Sequence, residues 1–206
     1  MRLRLGFALL VTAIALSGVP LAAGAEAETK TDLAGRKAVF VIAAEGFGYR
    51  ELAGPSELLR ERGCAVTIAC STLDPARSTD GTYVRPDVLL KNVKADAFDA
   101  IVFVGGVGAK EYFEDETAFA LARDAESRQK ILAAIGIAPA ILARAGVLVG
   151  KHASSWRSQR LTMIHRGARW LDAPLFQDGN ILTANRPGVA ERFGEALARA
   201  LAERRP

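Results

Sequence analysis

Cysteine and histidine are scarce in this chain, with two of each among 206 residues. Neither pair falls at a metal-ligand spacing, so neither a zinc or iron–sulfur centre nor any other cofactor is expected. The cysteines, Cys64 and Cys70, share the segment CAVTIAC. On a strand their Cα atoms would stand roughly 20 Å apart, too far for a disulfide with each other. Buried free thiols, a bond between subunits and a reactive thiol stay open. A large charge excess is also missing: the formal net charge is +4, too small to argue for a nucleic-acid partner. Internal repeats and low-complexity tracts are absent.

Long apolar runs are confined to the start. Arg2 and Arg4 precede an apolar run from Leu5 to Val19, and Ala23-Gly24-Ala25 follows as a small-x-small cleavage signal. This pattern predicts a secretory signal peptide over residues 1–25, with cleavage near Ala25 or Ala27. The alternative of an uncleaved anchor is disfavoured by Ser17, Gly18 and Pro20, which interrupt the run before it makes a full span. There is no paired-arginine motif and no cysteine for a lipid anchor. Processing would lower the net charge to +2, because Arg2 and Arg4 are lost and every carboxylate lies downstream. The expected product is periplasmic or secreted, without a stable membrane anchor. It consists of a polar leader over 26–36 and one domain over 37–206.

Within that domain KAVFVIAA, CAVTIAC, DAIVFVGG and QKILAAI read as buried strands, with a less distinct strand around TYVRPDVLL. RELAGPSELLRERG, Glu116 to Ser127, APAILARAG and PGVAERFGEALARALAE read as helices, and a hairpin is expected near RWLDAPLFQDGNILTA. Continuous apolar strands alternating with helices predict an α/β, flavodoxin-like, doubly wound and mostly parallel sheet covered on both faces. In such sheets ligands bind beyond the carboxyl ends of strands. Three loops would converge there: Glu45 to Tyr49, Gly105 to Gly108, and the turn at Gly136.

These loops and their flanks, in this order, resemble the DJ-1/PfpI superfamily, a relative of class I glutamine amidotransferases, over about Arg36 to Glu203. KAVFVIAAEGFGYREL is similar to the family's first strand and acidic loop, and FDAIVFVGGVGA to its strand ending in a Gly-Gly turn. AGVLVGK is similar to the segment after its elbow, and NILTANRPGVAERFGEALARAL to its closing strand and helix. The resemblance implies a Cys nucleophile at the elbow and a Glu from the loop after the first strand. Matching Pro139 and Ala145-Gly146-Val147-Leu148 puts Gly136 at the Cys position. Matching Phe47 and Glu51-Leu52 puts Gly48 at the Glu position. Ile137 stands where some members carry His, and Asn185-Arg186 replaces an Arg-Gly order before Pro187-Gly188.

The family's chemistry needs a thiolate with a lowered pKa, and Gly136 supplies no sulfur. Cys-dependent catalysis is therefore not expected. The backbone should persist as a small-anion site formed by Gly105, Gly106, Gly136 and Ile137. Between Ser127 and Leu171 there is no carboxylate, while Arg128, Lys130, Arg144, Lys151, Arg157, Arg160, Arg166 and Arg169 are present. They read as a solvated basic face, with Arg stems on Trp156 and Trp170, or as a surface for anions.

The expected function is an exported DJ-1/PfpI-like pseudoenzyme acting as a small-anion binding or interaction module. A homodimer and a stress-response or chaperone-like role are implied only by the resemblance. The alternative is a glyoxalase-, deglycase- or hydrolase-type enzyme using Glu45 or His152 as its base.

Overall fold

The computed structural model describes residues 31–204. The expected signal peptide and its cleavage site lie outside the described residues. The described part of the polar leader packs onto the domain: Leu33 is buried, and its N–H donates to the Arg62 carbonyl at 2.7 Å.

The strands are β1 (Lys37–Val41), β2 (Glu45–Phe47), β3 (Ala65–Cys70), β4 (Ala76–Ser78), β5 (Tyr83–Val84) and β6 (Val88–Leu89). They continue as β7 (Ala100–Phe103), β8 (Ile131–Ile135), β9 (His152–Ser154), β10 (Arg169–Leu171), β11 (Leu175–Asp178) and β12 (Ile181–Ala184). The helices are α1 (Tyr49–Glu61), α2 (Glu116–Ser127), α3 (Pro139–Arg144), α4 (Arg160–His165) and α5 (Ala190–Glu203).

Seven strands form the central sheet in the order β11-β12-β8-β7-β1-β3-β6. Every pairing is parallel except β11–β12, which is the expected hairpin. The doubly wound α/β fold follows from strands that are apolar on both faces: β7 and β8 are buried at every position. Helices cover both faces, and α1 packs along α5. There Gly194 allows close approach, since a Cβ on it would lie 3.0 Å from the Pro55 Cα.

The segment TYVRPDVLL departs from the single strand expected of it. Pro86 and the Asp87 side chain divide it into β5, which joins a small sheet with β2 and β4, and β6, which edges the main sheet. The Asp87 carboxylate accepts the Ile68 N–H at 2.7 Å. Cys64 and Cys70 are buried free thiols flanking and ending β3. Burial above all pushes the Cys64 thiol up to about 11. Among the described residues no helix is long and apolar enough to cross a membrane.

Candidate functional site

Three loops meet beyond the carboxyl ends of β1, β7 and β8, around the expected ligand crevice. Beyond β8 the chain turns at Gly136, whose φ is +69°. That left-handed conformation strains any residue with a Cβ and suits glycine. The turn is held on both sides: the Gly136 N–H donates to the Ala184 carbonyl at 3.0 Å, and its carbonyl accepts the Trp156 N–H at 2.7 Å. Beyond β7, Gly105 accepts the Gly48 N–H at 2.9 Å, tying the second loop to the first.

A carboxyl group sits where the three loops meet, and it belongs to Glu51. Glu51 is the third residue of α1, and 2% of it is exposed. Its Oε2 would lie 2.6 Å from a Cβ on Gly48, 2.5 Å from one on Gly105 and 2.9 Å from one on Gly136. The same oxygen is buried without a hydrogen-bond partner among the described residues. Burial raises its pKa to about 7, against a smaller lowering by the Gly105 backbone. Glu51 therefore exchanges a proton near neutrality, in the range where a group can act as acid or base. Ile137 brings its N–H to the same place, 3.1 Å from where a Gly105 Cβ would stand.

This arrangement corrects the sequence assignment of the acid. Gly48 carries no carboxyl, but the space beside it is filled by the side chain of Glu51. Its place at the third position of a helix whose N-cap, Gly48, makes no side-chain cap bond was the available signal. A glutamate at that position commonly turns back toward the cap.

The other candidate bases lie elsewhere. Glu45 is exposed at the start of β2, opposite Arg77 of β4, so it neither caps α1 nor is buried as a base would need to be. His152 is on β9, with its ring 5.8 Å from that of Phe176 and its Nδ1 3.6 Å from the Asp178 carboxylate. Its backbone N–H also donates to Asp178, at 2.8 Å. Ser154 is engaged with Thr183, and Ser155 with Trp170 and the Trp156 carbonyl.

The backbone expected to bind anions does converge, since Gly105, Gly136 and Ile137 border one spot, with Gly106 packed on the backbone of Gly46 to Gly48. What faces that spot is an acid. Nor is the basic stretch unopposed in space: Arg128, Arg144, Lys151 and Arg157 pair with Asp124, Glu114, Glu126 and Asp172. The Arg160 guanidinium, rather than its stem, lies over Trp170, 5.6 Å from the ring centroid. Among the described residues no group of three or more His, Cys, Asp or Glu could hold a metal ion. Neither cysteine reaches the elbow, because β7 and β1 separate β3 from β8.

Known proteins share both sequence and fold with this chain. It is 31% identical over 168 residues to Protein dj-1beta of Drosophila melanogaster, covering 81% of this chain and 90% of that one. It is 33% identical over 150 residues to Deglycase PfpI of Pyrococcus furiosus, covering 73% and 90%. A ThiJ/PfpI domain protein from Brachyspira murdochii superposes with a TM-score of 0.80 at 26% identity, covering 82% of this chain and 98% of that one. Drosophila DJ-1beta superposes with a TM-score of 0.76 at 30% identity, covering 82% and 91%. The DJ-1/PfpI family model matches residues 36–200, so the chain belongs to the DJ-1/PfpI family.

Proposed function

We propose that this protein is an exported family member without thiol chemistry, whose crevice binds a small oxygen-rich ligand through backbone N–H groups and the proton of Glu51. The observation that carries this reading is the buried, unpartnered Oε2 of Glu51 beside an elbow residue that has no side chain. Below pH 7 the carboxyl is protonated and can donate to a carboxylate or phosphate oxygen. Above it, two negative charges would meet in a site of low dielectric. Anion binding should therefore take up a proton and weaken as pH rises.

The test is a thermal-shift titration with formate, acetate, phosphate and methylglyoxal at pH 5.5, 7 and 8.5. Stabilisation by an anion at pH 5.5 that fades at pH 8.5, and loses that dependence in Glu51→Gln, is the expected outcome. Equal stabilisation at all three values would refute the coupling. Export rests on residues 1–25 and is tested by fusing them to a reporter that is active only outside the cytoplasm.

A second reading is favoured by one observation: an acid with a pKa of about 7 is matched to general-base work at neutral pH, and several relatives carry the name deglycase. In that reading Glu51, rather than Glu45 or His152, activates water. Turnover of methylglyoxal or a glycated amine by the wild-type protein, abolished in Glu51→Gln, would establish it in place of the binding role.

A further inference from the structure

Part of the basic stretch has no counter-charge. Arg160, Arg166 and Arg169 are exposed and take part in no ion pair among the described residues. Their surroundings supply none either. Helix α4 packs on α3, on β10 and on the 3-10 turn Arg157–Gln159, and the sequences of these elements, PAILAR, RWL and RSQ, contain no acid. The next acid along the chain, Asp172, is taken by Arg157.

Among these cations stand three large apolar side chains that the fold leaves in water: Val149 is 65% exposed, Leu161 60% and Ile164 42%. Helical geometry turns two of them outward. Helix α4 buries Met163, and at roughly 100° per residue Leu161 falls on the opposite side, with Ile164 about a quarter-turn from the buried face. Arg160 is the i−4 neighbour of Ile164 and so borders it on the helix surface. Val149 joins them beyond the helix end. The Gly167 N–H donates to the Ile164 carbonyl at 2.9 Å, and a Cβ on Gly167 would stand 3.4 Å from the Val149 Cγ2. The Arg169 N–H donates to the Lys151 carbonyl at 2.8 Å, which brings that arginine beside the same segment.

Single exposed aliphatics are ordinary on a protein surface. Aliphatics bordered by unpaired arginines, with no acid among them, match a partner that offers negative charge and hydrocarbon together. A bilayer of anionic lipid does so, with phosphates above and acyl chains beneath. A second copy of this chain fits less well, because a two-fold contact centred here would set Arg166 and Arg169 near their own counterparts. A soluble polyanion would match the arginines and leave the aliphatics in water.

We propose that the face made by α4, the Arg166–Arg169 segment and Val149 docks on an anionic phospholipid surface. Leu161, Ile164 and Val149 enter the headgroup layer, and Arg160, Arg166 and Arg169 meet lipid phosphates. The attachment is peripheral and reversible, since three side chains supply little apolar area and no described helix is long and apolar enough to cross a membrane.

The experiment reads the face itself. Cys64 and Cys70 are buried, so in Ile164→Cys an environment-sensitive dye reports from position 164 of the full chain. The labelled protein is titrated with vesicles of phosphatidylcholine alone and with vesicles of equal parts phosphatidylcholine and phosphatidylglycerol. A saturable blue shift is expected with the anionic vesicles only, reversed by high salt. Adding Arg166→Gln and Arg169→Gln should raise the lipid concentration at half-effect about 25-fold, at about fivefold per arginine. Adding Leu161→Ser, which leaves the charge unchanged, should raise it about tenfold. These side chains are exposed, so the variants keep the fold, and Arg160 is left on Trp170. No shift, an equal shift on phosphatidylcholine, or indifference to the two arginines would each overturn the proposal. The same shift with polyglutamate would assign the face to an acidic macromolecule. A shift that grows with protein concentration in the absence of lipid would assign it to a second copy, and either result overturns the lipid reading.

Discussion

The raised pKa of Glu51 should make the stability of this protein fall across the pH range in which most proteins are steady. A carboxyl at 4.5 in the unfolded chain and about 7 in the folded one binds more protons when folded. Its stabilising contribution is fully present below pH 4.5 and is lost as pH rises through 7, after which both states are ionised and the loss stays constant. A shift of that size corresponds to about 3 kcal/mol at 1.36 kcal/mol per unit, an upper figure because local opening and water entry relieve a buried charge. Glu51→Gln keeps the shape and removes the titration. Urea denaturation at pH 5, 6, 7 and 8 should show wild type and variant of similar stability at pH 5, with the variant gaining up to about 3 kcal/mol by pH 8. For a domain of this size that is a rise in Tm of roughly 6–12 °C. Taking the difference between the two proteins cancels every other titrating group. Parallel pH profiles would refute the reasoning, because they would mean that Glu51 ionises at the same pH folded and unfolded.

Further outcomes follow from other parts of the same geometry. Gly136→Cys should by itself give a thiol beside Glu51 that an alkylating agent reaches at a pH dependence set by that carboxyl. No glutamate need be added at position 48, where a Cβ would already crowd Oε2 at 2.6 Å. Gly136→Ala should cost about 1–2 kcal/mol in denaturation from the left-handed backbone, and more in total because its Cβ would stand 2.4 Å from the Glu51 Oε1, which must move. Tyr112→Phe should cost about 1–3 kcal/mol, because its hydroxyl donates to the Ile42 carbonyl at 2.8 Å and accepts the Ser71 N–H at 3.1 Å, and both would be left without it. Asp115→Ala should cost about 1 kcal/mol by freeing the Ala118 N–H that the Asp115 carboxylate accepts at 2.8 Å.

The fold was legible because its strands announce themselves. KAVFV, AIVF and ILAAI have no polar residue after the opening lysine, and only a sheet covered on both faces hides such runs. The turn at Gly136 was legible for the same reason, as the point where the apolar run of β8 stops before Pro139 opens α3. The pairing of the basic stretch was not. Lys151 and Glu126 are 25 residues apart, and Arg144 and Glu114 are 30, so a local absence of carboxylates says nothing about partners brought by another element. The two-part fate of TYVRPDVLL was marked by Pro86, which a central strand does not tolerate, but choosing between an edge and a separate sheet needs the third dimension.

The acid of the crevice was misplaced for a reason that has chemical consequences. Linear matching assigns a role to whichever residue occupies a column, whereas a carboxyl on three rotatable bonds serves any point within reach of its Cα. Glu51 stands one helical turn after Gly48 and folds back beside it, so the space next to a residue without a side chain holds a carboxyl. With a side chain at 136 that carboxyl would have had a neighbour. With hydrogen there, Oε2 has none, and the crevice holds a proton near neutral pH with nothing of its own to give it to. A site in that condition is suited to sharing the proton with something that comes from outside, which is why ligand binding and pH should be inseparable at Glu51.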